Sequence, residues 1–355
     1  MQKDLFKNYF KSVANANLPS SAHAPSQMNQ ELSEFFRVIF NINVDQDDLD
    51  EILFPTFEEA LGILDLAELR RESLRLFDLE DVGARGNRIR LIRQFLIMAM
   101  AKAIADNLHK VKGHHLRLVN KLLAKKIHTK TIFVSTNYDI LIDNALLHIQ
   151  ASEIPGKMLD YSVDFTNFGL PANTPQRWRI WHKPKPSAVR LFKLHGSLNW
   201  LYCSTCNSLT LTPGMKGAIR LIERTREDIA KCQVCNTFMS PVIVPPTFYK
   251  DMSRVFLSLV WNKAENALRE VDHIIFCGYS FPDADIHIKY LLKRVQTNRP
   301  ADQPLRFTVI NSHAGKKPEQ AEEEEERFKR FLGRSVNYTQ SSFDEFASDP
   351  KAFYA

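Results

Sequence analysis

The sequence predicts an α/β protein: a mostly parallel sheet with helices on both faces, a helical block before it, and a small cysteine-bearing module within it. Three observations predict this class. Residues 30–130 carry apolar side chains at helical spacing. From residue 131 onward, short apolar runs alternate with helical stretches, the order typical of parallel strands covered by helices. Two Cys-x-x-Cys pairs interrupt this second part.

The composition is that of a folded protein with one large or two modest domains. The chain has 355 residues, of which 44% are hydrophobic and 25% charged, and this excludes a disordered or collagen-like chain. No apolar run reaches the ~20 residues that a membrane span needs. The N-terminus lacks the basic-then-apolar pattern of a secretion signal. These features predict a soluble protein of the cytoplasm.

The helical block becomes strongly basic toward its end. Its helices are expected over 31–40, 57–64, 88–108 and 115–125. The stretch 84–130 has twelve Lys and Arg residues against one acid, Asp106, whereas the whole chain has a net charge of +6. Such a stretch is either a solvated helical face or a docking surface for an acidic protein or nucleic acid. No aromatic residue interleaves the basic ones after Phe95, which argues against base stacking.

Four apolar runs predict strands, and each run stops at a polar cluster. The runs are 131–135, 189–194, 273–277 and 306–310; helices are expected over 143–150, 255–271 and 286–296, and a loop over 151–187. The clusters are Thr136 to Asp139, His195 to Ser197, Gly278 to Asp285, and Asn311-Ser312. Ligands of parallel sheets bind beyond the carboxyl ends of the strands. A single histidine such as His195 is more typical of a structural residue, but four clusters in order predict one shared crevice.

Four of the five cysteines predict a metal site. Cys203 and Cys206 form one Cys-x-x-Cys pair, Cys232 and Cys235 form the other, and 25 residues separate the pairs. Two such pairs offer a tetrahedral set of thiolates suited to zinc, and four thiolates leave no position for a substrate water. The sequence therefore predicts a structural zinc within a small module over residues 201–240.

These motifs resemble those of the sirtuin-like superfamily. In chain order they are Ser135-Thr-Asn-Tyr-Asp139, Lys193-Leu-His-Gly-Ser197, the two cysteine pairs, Gly278-Tyr-Ser280 and Val309-Ile-Asn311. The sequence Gly-Tyr-Ser-Phe-Pro-x-x-Asp, and Val244-Pro-Pro-Thr-Phe-Tyr249 before it, resemble the bacterial branch, which includes NAD-hydrolysing proteins of antiphage defence. The resemblance implies a Rossmann-like domain over 1–30 and 131–355, a helical insertion over 31–130, and a zinc ribbon over 201–240.

The resemblance also implies an activity: hydrolysis of NAD at the nicotinamide–ribose bond. Asn137 would orient the ribose and a water, and His195 would act as the base. The residues implied to contact NAD are Thr136, Asn137, Asp139, Ser197, Gly278, Tyr279, Ser280, Asp285 and Asn311. Val242-Ile-Val-Pro-Pro246 replaces the peptide-binding strand of the protein deacylases, and prolines cannot donate ladder hydrogen bonds. Water is therefore the expected acceptor; the alternatives are an NAD-dependent deacylase and a nucleotide-binding subunit without activity.

The start of the chain departs from the family pattern. The family opens with a strand and a Gly-Ala-Gly-x-Ser loop, whereas no glycine precedes Gly62. Asn15 and Asn17 are a degenerate counterpart, since Asn tolerates positive φ; alternatively, the loop lies upstream of this chain, or NAD binding is weakened. No sensor domain is recognisable after Asn311. The sequence therefore predicts control by homo-oligomerisation or by a separate sensor or activator protein, with direct nucleic-acid binding left open.

Overall fold

The fold combines a block of helices with three small sheets. The computed structural model describes residues 5–15, 23–79, 87–107, 113–148, 159–170, 173–212, 231–244, 255–283, 285–300 and 302–350. The helices are α1 (Leu5–Asn15), α2 (His23–Phe40), α3 (Phe57–Arg70), α4 (Arg88–Asn107), α5 (His114–Ala124), α6 (Leu141–His148), α7 (Gln176–Arg179), α8 (Val255–Glu270), α9 (Ile286–Thr297), α10 (Pro318–Leu332) and α11 (Phe343–Ser348). The strands are β1 (Ile132–Ser135), β2 (Leu159–Asp160), β3 (Asn167–Phe168), β4 (Val189–Lys193), β5 (Gly196–Tyr202), β6 (Leu209–Leu211), β7 (Ser240–Ile243), β8 (His273–Cys277), β9 (Arg306–Ile310) and β10 (Asn337–Thr339). The predicted α/β class is confirmed.

Helices α1 to α4 pack around a shared aromatic core. Phe6, Phe36 and Phe54 are buried there, with ring centroids 4.7 to 6.4 Å apart. The start of α3 is fixed by a capping box: the Thr56 hydroxyl accepts from the Glu59 amide at 3.2 Å, and the Glu59 carboxylate accepts from the Thr56 amide at 2.7 Å. The helices predicted within 31–108 are therefore present, and apolar contacts between them supply most of their stability.

The first described segment is a helix, where the sequence suggested a strand and a loop. Phe6 and Tyr9 of α1 are buried in the helical core. The apolar residues at 5, 6, 9 and 10 repeat every three to four positions, a period that suits a helix and not a strand. Asn17 and the side chain of Asn15 lie outside the described residues. The division into a domain over 1–30 and 131–355 with an insertion over 31–130 stays a prediction.

The parallel strands form two three-stranded sheets, in the orders β1-β4-β2 and β10-β9-β8. The sequence predicted β1, β4, β8 and β9 at nearly these bounds but in one sheet, and within the described residues no ladder joins β1 to β8. It did not predict β10, and it predicted a loop over 151–187, where β2, β3 and α7 lie. Both sheets nevertheless contact the same apolar cluster beneath α5 and α11. Phe133 of β1 and Ile275 and Cys277 of β8 all pack against it. The two sheets therefore share part of one apolar core.

The third sheet is mixed and carries the cysteine pairs. Its order is β3-β6-β5-β7, with β5 antiparallel to both of its neighbours. Gly196 begins β5 with a φ of +81°, and a Cβ atom there would collide with the Val242 carbonyl. Only glycine fits such a position.

The described helices include none long and apolar enough to cross a bilayer.

Candidate active site

Asn137 and His195 lie at the carboxyl ends of two adjacent parallel strands, β1 and β4. His195 Nδ1 is 3.2 Å from the Thr136 carbonyl oxygen. Because a carbonyl can only accept, this contact assigns the proton of the neutral imidazole to Nδ1 and leaves Nε2 as an acceptor. His195 is buried, whereas the Asn137 side chain is exposed. The structure thus brings the two predicted catalytic residues to one edge.

The loop that carries Asn137 is fastened to the strands around it. The Tyr138 hydroxyl donates to the Val244 carbonyl at 2.6 Å, and the Leu198 amide donates to the Tyr138 carbonyl at 2.9 Å. Burial raises the pKa of Tyr138 well above its usual value, so that the hydroxyl keeps its proton and remains a donor. The Asn137 loop is therefore held in one position relative to His195.

A buried lysine two residues before His195 also holds this loop. Lys193 and Asp143 are both fully buried; Lys193 Nζ donates to the Asp139 carbonyl at 2.5 Å and lies 3.5 Å from the Asp143 carboxylate. The Tyr161 hydroxyl donates to Asp143 at 2.6 Å. The carboxylate of Asp139 accepts from the Leu141 amide at the start of α6. This role of Lys193 was not predicted from the sequence, although a lysine within an apolar strand was the available signal.

The predicted residues near β8 and β9 form a second group. The Gly278 amide donates to the Ile310 carbonyl at 3.0 Å, and Gly278 has a φ of +63°. The Tyr279 hydroxyl donates to Asp285 at 2.8 Å, and burial raises the pKa of Tyr279. Asn311 Nδ2 donates to the Tyr279 carbonyl at 2.8 Å, which fixes the turn after β8. Ser280 is exposed at this turn.

Asn311 has a buried partner that the sequence analysis missed. Its Nδ2 also donates to the Glu324 carboxylate at 2.8 Å, while its Oδ1 is buried without a partner. Glu324 is buried and pairs with Lys316 at 2.8 Å. Glu324 lies in the run Glu322 to Glu326, and it can anchor Asn311 because it is on the buried face of α10 together with Ala321 and Phe328.

The predicted NAD contact Ser197 lies inside the mixed sheet. Its side chain is fully buried, and its hydroxyl oxygen has no hydrogen-bond partner. Among the predicted residues, Asn137, Gly278 and Ser280 are exposed.

Residues from other elements connect the two groups. The His195 ring lies 6.3 Å from Trp261 on α8, and Trp261 lies 6.5 Å from His287 on α9. Burial raises the pKa of Glu58 on α3, and the charge of Asp285 raises it further. The helical block thus places a carboxylate near Asp285. Sequence patterns could not show this, since Glu58 is far from the motifs in the chain.

The four paired cysteines form one cluster. The Sγ atoms of Cys203 and Cys235 are 3.4 Å apart, those of Cys206 and Cys232 are 3.5 Å apart, and all four lie within 4.8 Å of one another. Tetrahedral zinc with Zn–S bonds of about 2.3 Å separates sulfurs by about 3.8 Å. Although burial opposes it, a hydrogen bond from Ser208 and backbone amides lower the pKa of Cys232 to about 6. The cluster therefore suits zinc, and its four thiolates would close the coordination sphere.

Part of the basic stretch 84–130 is paired within the molecule. The described pairs are Arg88 with Glu31 and Glu34, Arg90 with Glu68, Arg93 with Asp65, Arg117 with Asp344, and Lys125 with Asp349. Lys121 and Lys130, near the end of α5, are exposed. They are therefore the candidate residues for the docking surface.

Comparison with known proteins identifies the family. The sequence profile of the SIR2-like domain matches residues 131–332, more than half of the chain, so the protein belongs to the SIR2-like domain family. No curated protein matches. Among solved structures, a Sir2 in complex with EX-527, 2'-O-acetyl-ADP-ribose and a deacetylated p53 peptide is 16% identical, with a TM-score of 0.34 over 67% of this chain and 69% of that chain. A Sir2 enzyme structure described for mechanism and regulation is 13% identical, with a TM-score of 0.34 over 82% and 94% of the two chains.

Proposed function

We propose that this protein is an NAD hydrolase, which cleaves the nicotinamide–ribose bond in the cytoplasm as an effector of bacterial antiphage defence. The observation that carries the proposal is the pairing of Asn137 and His195 at adjacent strand ends, with His195 Nδ1 held by the Thr136 carbonyl. Membership of the SIR2-like domain family supports the use of NAD.

The proposed chemistry assigns the base to His195. Nε2 accepts the proton of a water that Asn137 orients toward the anomeric carbon of the ribose. As the new carbon–oxygen bond forms, the carbon–nitrogen bond breaks, and its electron pair cancels the positive charge of the nicotinamide ring. The proton then passes to solvent. One NAD⁺ and one water give nicotinamide, ADP-ribose and one proton.

The second group of residues would hold the nucleotide. Asn311 Oδ1 is a buried acceptor without a partner, which suits a hydroxyl or amino group of the substrate. Asp285 is a second acceptor, and the exposed backbone at Gly278 and Ser280 allows close approach. In this proposal Thr136 and Asp139 contribute through the loop that they fix, and Ser197 through the strand behind His195.

The acceptor is expected to be water because of the prolines that follow β7. The Val244 amide donates to the His195 carbonyl at 2.9 Å, which holds the start of this segment beside His195. Pro245 and Pro246, which lie outside the described residues, cannot donate hydrogen bonds to an added peptide strand. This argues against a deacylase.

We also propose a structural zinc at the cysteine cluster and control by self-association or by a separate sensor protein. A hydrolase that consumes NAD without control would harm its own cell. The exposed lysines near the end of α5 are the proposed contact surface.

The experiment measures nicotinamide and ADP-ribose from NAD by chromatography, with purified protein and in cells during phage infection. The wild type should release both products in equal amounts without any peptide. His195→Ala and Asn137→Ala should each reduce the rate by ~10²–10⁴. His273→Gln is the matched control, because His273 lies at the opposite, amino end of β8 and bonds Thr308.

The outcomes separate the three candidate functions. Release of nicotinamide only with an acylated peptide, with the acyl group transferred to ADP-ribose, would show a deacylase. Binding of NAD in calorimetry, with no cleavage in either setting, would show a nucleotide-binding subunit.

A further inference from the structure

A cleft beside the cysteine module has the properties of a second ligand site. It lies between β3, α7 and the knuckle from Cys232 to Cys235, and its volume is about 420 Å³. The described residues that line it are Thr166, Asn167, Gln176, Arg179, Ile180 and Gln233. We propose that this cleft binds a small organic anion through a carboxylate or phosphate group.

Two buried donors without acceptors support an anionic ligand. Asn167 is 9% exposed; its Oδ1 accepts from the Thr210 hydroxyl at 2.8 Å, but its Nδ2 is buried without a partner. Arg179 Nε is likewise buried without a partner, and Arg179 makes no ion pair in the described part of the chain. Unsatisfied buried donors are rare and costly in native structures. Both groups can only donate, so the missing partner must bring acceptor oxygens, and the guanidinium favours a negative charge.

The size of the cleft favours a small molecule over a lone ion. Its volume falls within the roughly 300–1,000 Å³ of small-molecule sites. Ile180, which is half-exposed at the rim, offers an apolar contact for the rest of the ligand. Gln176 and Gln233 add amide groups that can both donate and accept.

The cleft is separate from the candidate active site. In the mixed sheet, β3 and β5 are separated by β6, and Asn167 of β3 is level with Leu201 of β5 through Thr210. His195 immediately precedes β5. Two strand spacings of about 4.8 Å across the sheet and six residues of about 3.3 Å along β5 therefore separate His195 from Asn167 by roughly 20 Å. A ligand in the cleft therefore does not contact His195. It would lie beside the cysteine knuckle, because Gln233 of that knuckle lines the cleft. The proposal is thus independent of NAD hydrolysis.

The test is calorimetric titration of the full chain with three probes: inorganic phosphate, glutarate and ribose 5-phosphate. We expect saturable one-to-one binding of at least one probe. Arg179→Gln removes the charge, and Asn167→Asp keeps the acceptor for Thr210 while replacing the free donor by an acceptor. Each variant should weaken binding at least roughly tenfold. Arg334→Gln, at an exposed turn, should leave it unchanged.

The probes also identify the source of the anion. Stronger binding of glutarate indicates a carboxylate, and stronger binding of the two phosphates indicates a phosphate. The proposal is overturned if no probe binds at millimolar concentration, if neutral ribose binds as well as ribose 5-phosphate, or if Arg179→Gln binds like the wild type. Thermal melting checks that the Asn167→Asp variant is folded. If that variant is unfolded, the Arg179→Gln variant, which is changed on a partly exposed helix, decides the outcome.

Discussion

At the scale of single residues, the glycine that follows the candidate base His195 sets the geometry of the turn between β4 and β5. Gly196 turns the chain from β4 into β5 with positive φ, and its missing side chain leaves room for the Val242 carbonyl. The same turn positions His195 against Thr136. The His-Gly sequence is therefore a packing requirement as well as a motif.

We expect Gly196→Ala to lower the free energy of unfolding by more than ~2 kcal/mol, because the added methyl group requires both strained backbone and displacement of β7. Gly62→Ala is the matched control. Gly62 lies within α3, where an added methyl group would meet open space, so the substitution should stabilise the protein by about 0.5–1 kcal/mol. Urea denaturation of both variants tests this, and equal stability of the two would contradict it.

At the scale of elements, one ion-pair network joins α4 to α2. The Arg88 side chain is 2% exposed and lies 2.6 Å or less from carboxylates of Glu31 and Glu34. Arg90, two residues further along the same helix, pairs with Glu68 but is 66% exposed. The two arginines thus differ in burial rather than in chemistry.

Removal of the buried arginine should be far more damaging than removal of the exposed one. Arg88→Met leaves two partly buried carboxylates facing each other without a cation, and we expect a loss of about 3–5 kcal/mol in unfolding free energy. Arg90→Met should change it by less than ~1 kcal/mol. Chemical denaturation measures both values, and a loss at Arg88 no larger than that at Arg90 would refute the account of this network.

The cysteine module is the second element whose stability can be tested. Cys232→Ser should abolish zinc binding and lower the melting temperature by roughly 5 °C or more, because metal binding contributes to the free energy of folding. Cys277→Ser is the control, since Cys277 lies on β8 outside the cluster. Metal analysis together with thermal melting gives the result. Zinc well below one equivalent in the wild type would show that the cluster has another role.

At the scale of the whole molecule, folding pairs part of the uneven charge with acidic side chains. Arginines of α4 pair with acids of α2 and α3, and Lys125, just after α5, pairs with Asp349 beyond α11. What stays exposed near the end of α5 is a smaller cationic surface around Lys121 and Lys130.

We expect that surface to support association. Lys121→Glu/Lys130→Glu should shift sedimentation toward smaller species, and added salt should do the same to the wild type, because charges are screened beyond ~10 Å at 0.1 M. Lys317→Glu/Arg334→Glu makes the same charge change at another exposed region. Equal sedimentation of both double variants and the wild type would exclude this surface from self-association.

The sequence by itself determined the elements and the chemistry of the motifs. Apolar period, caps and turn residues are local, so strands such as His273–Cys277 and helices such as α4 were predicted within a residue or two of their bounds. The spacing of the four cysteines was sufficient to predict that they form one cluster. Adjacent strand ends likewise brought Asn137 and His195 together as expected.

Only the tertiary structure decided which distant residues meet. The pairing of Lys193 with Asp143, the bond from Asn311 to Glu324, and the approach of Glu58 to Asp285 depend on how separate elements pack. Charge in a sequence shows neither burial nor partner, and α1 became a helix in an aromatic core although its position suggested a strand. Local patterns fix backbone conformation, whereas long-range packing fixes which polar groups are desolvated and therefore must be paired.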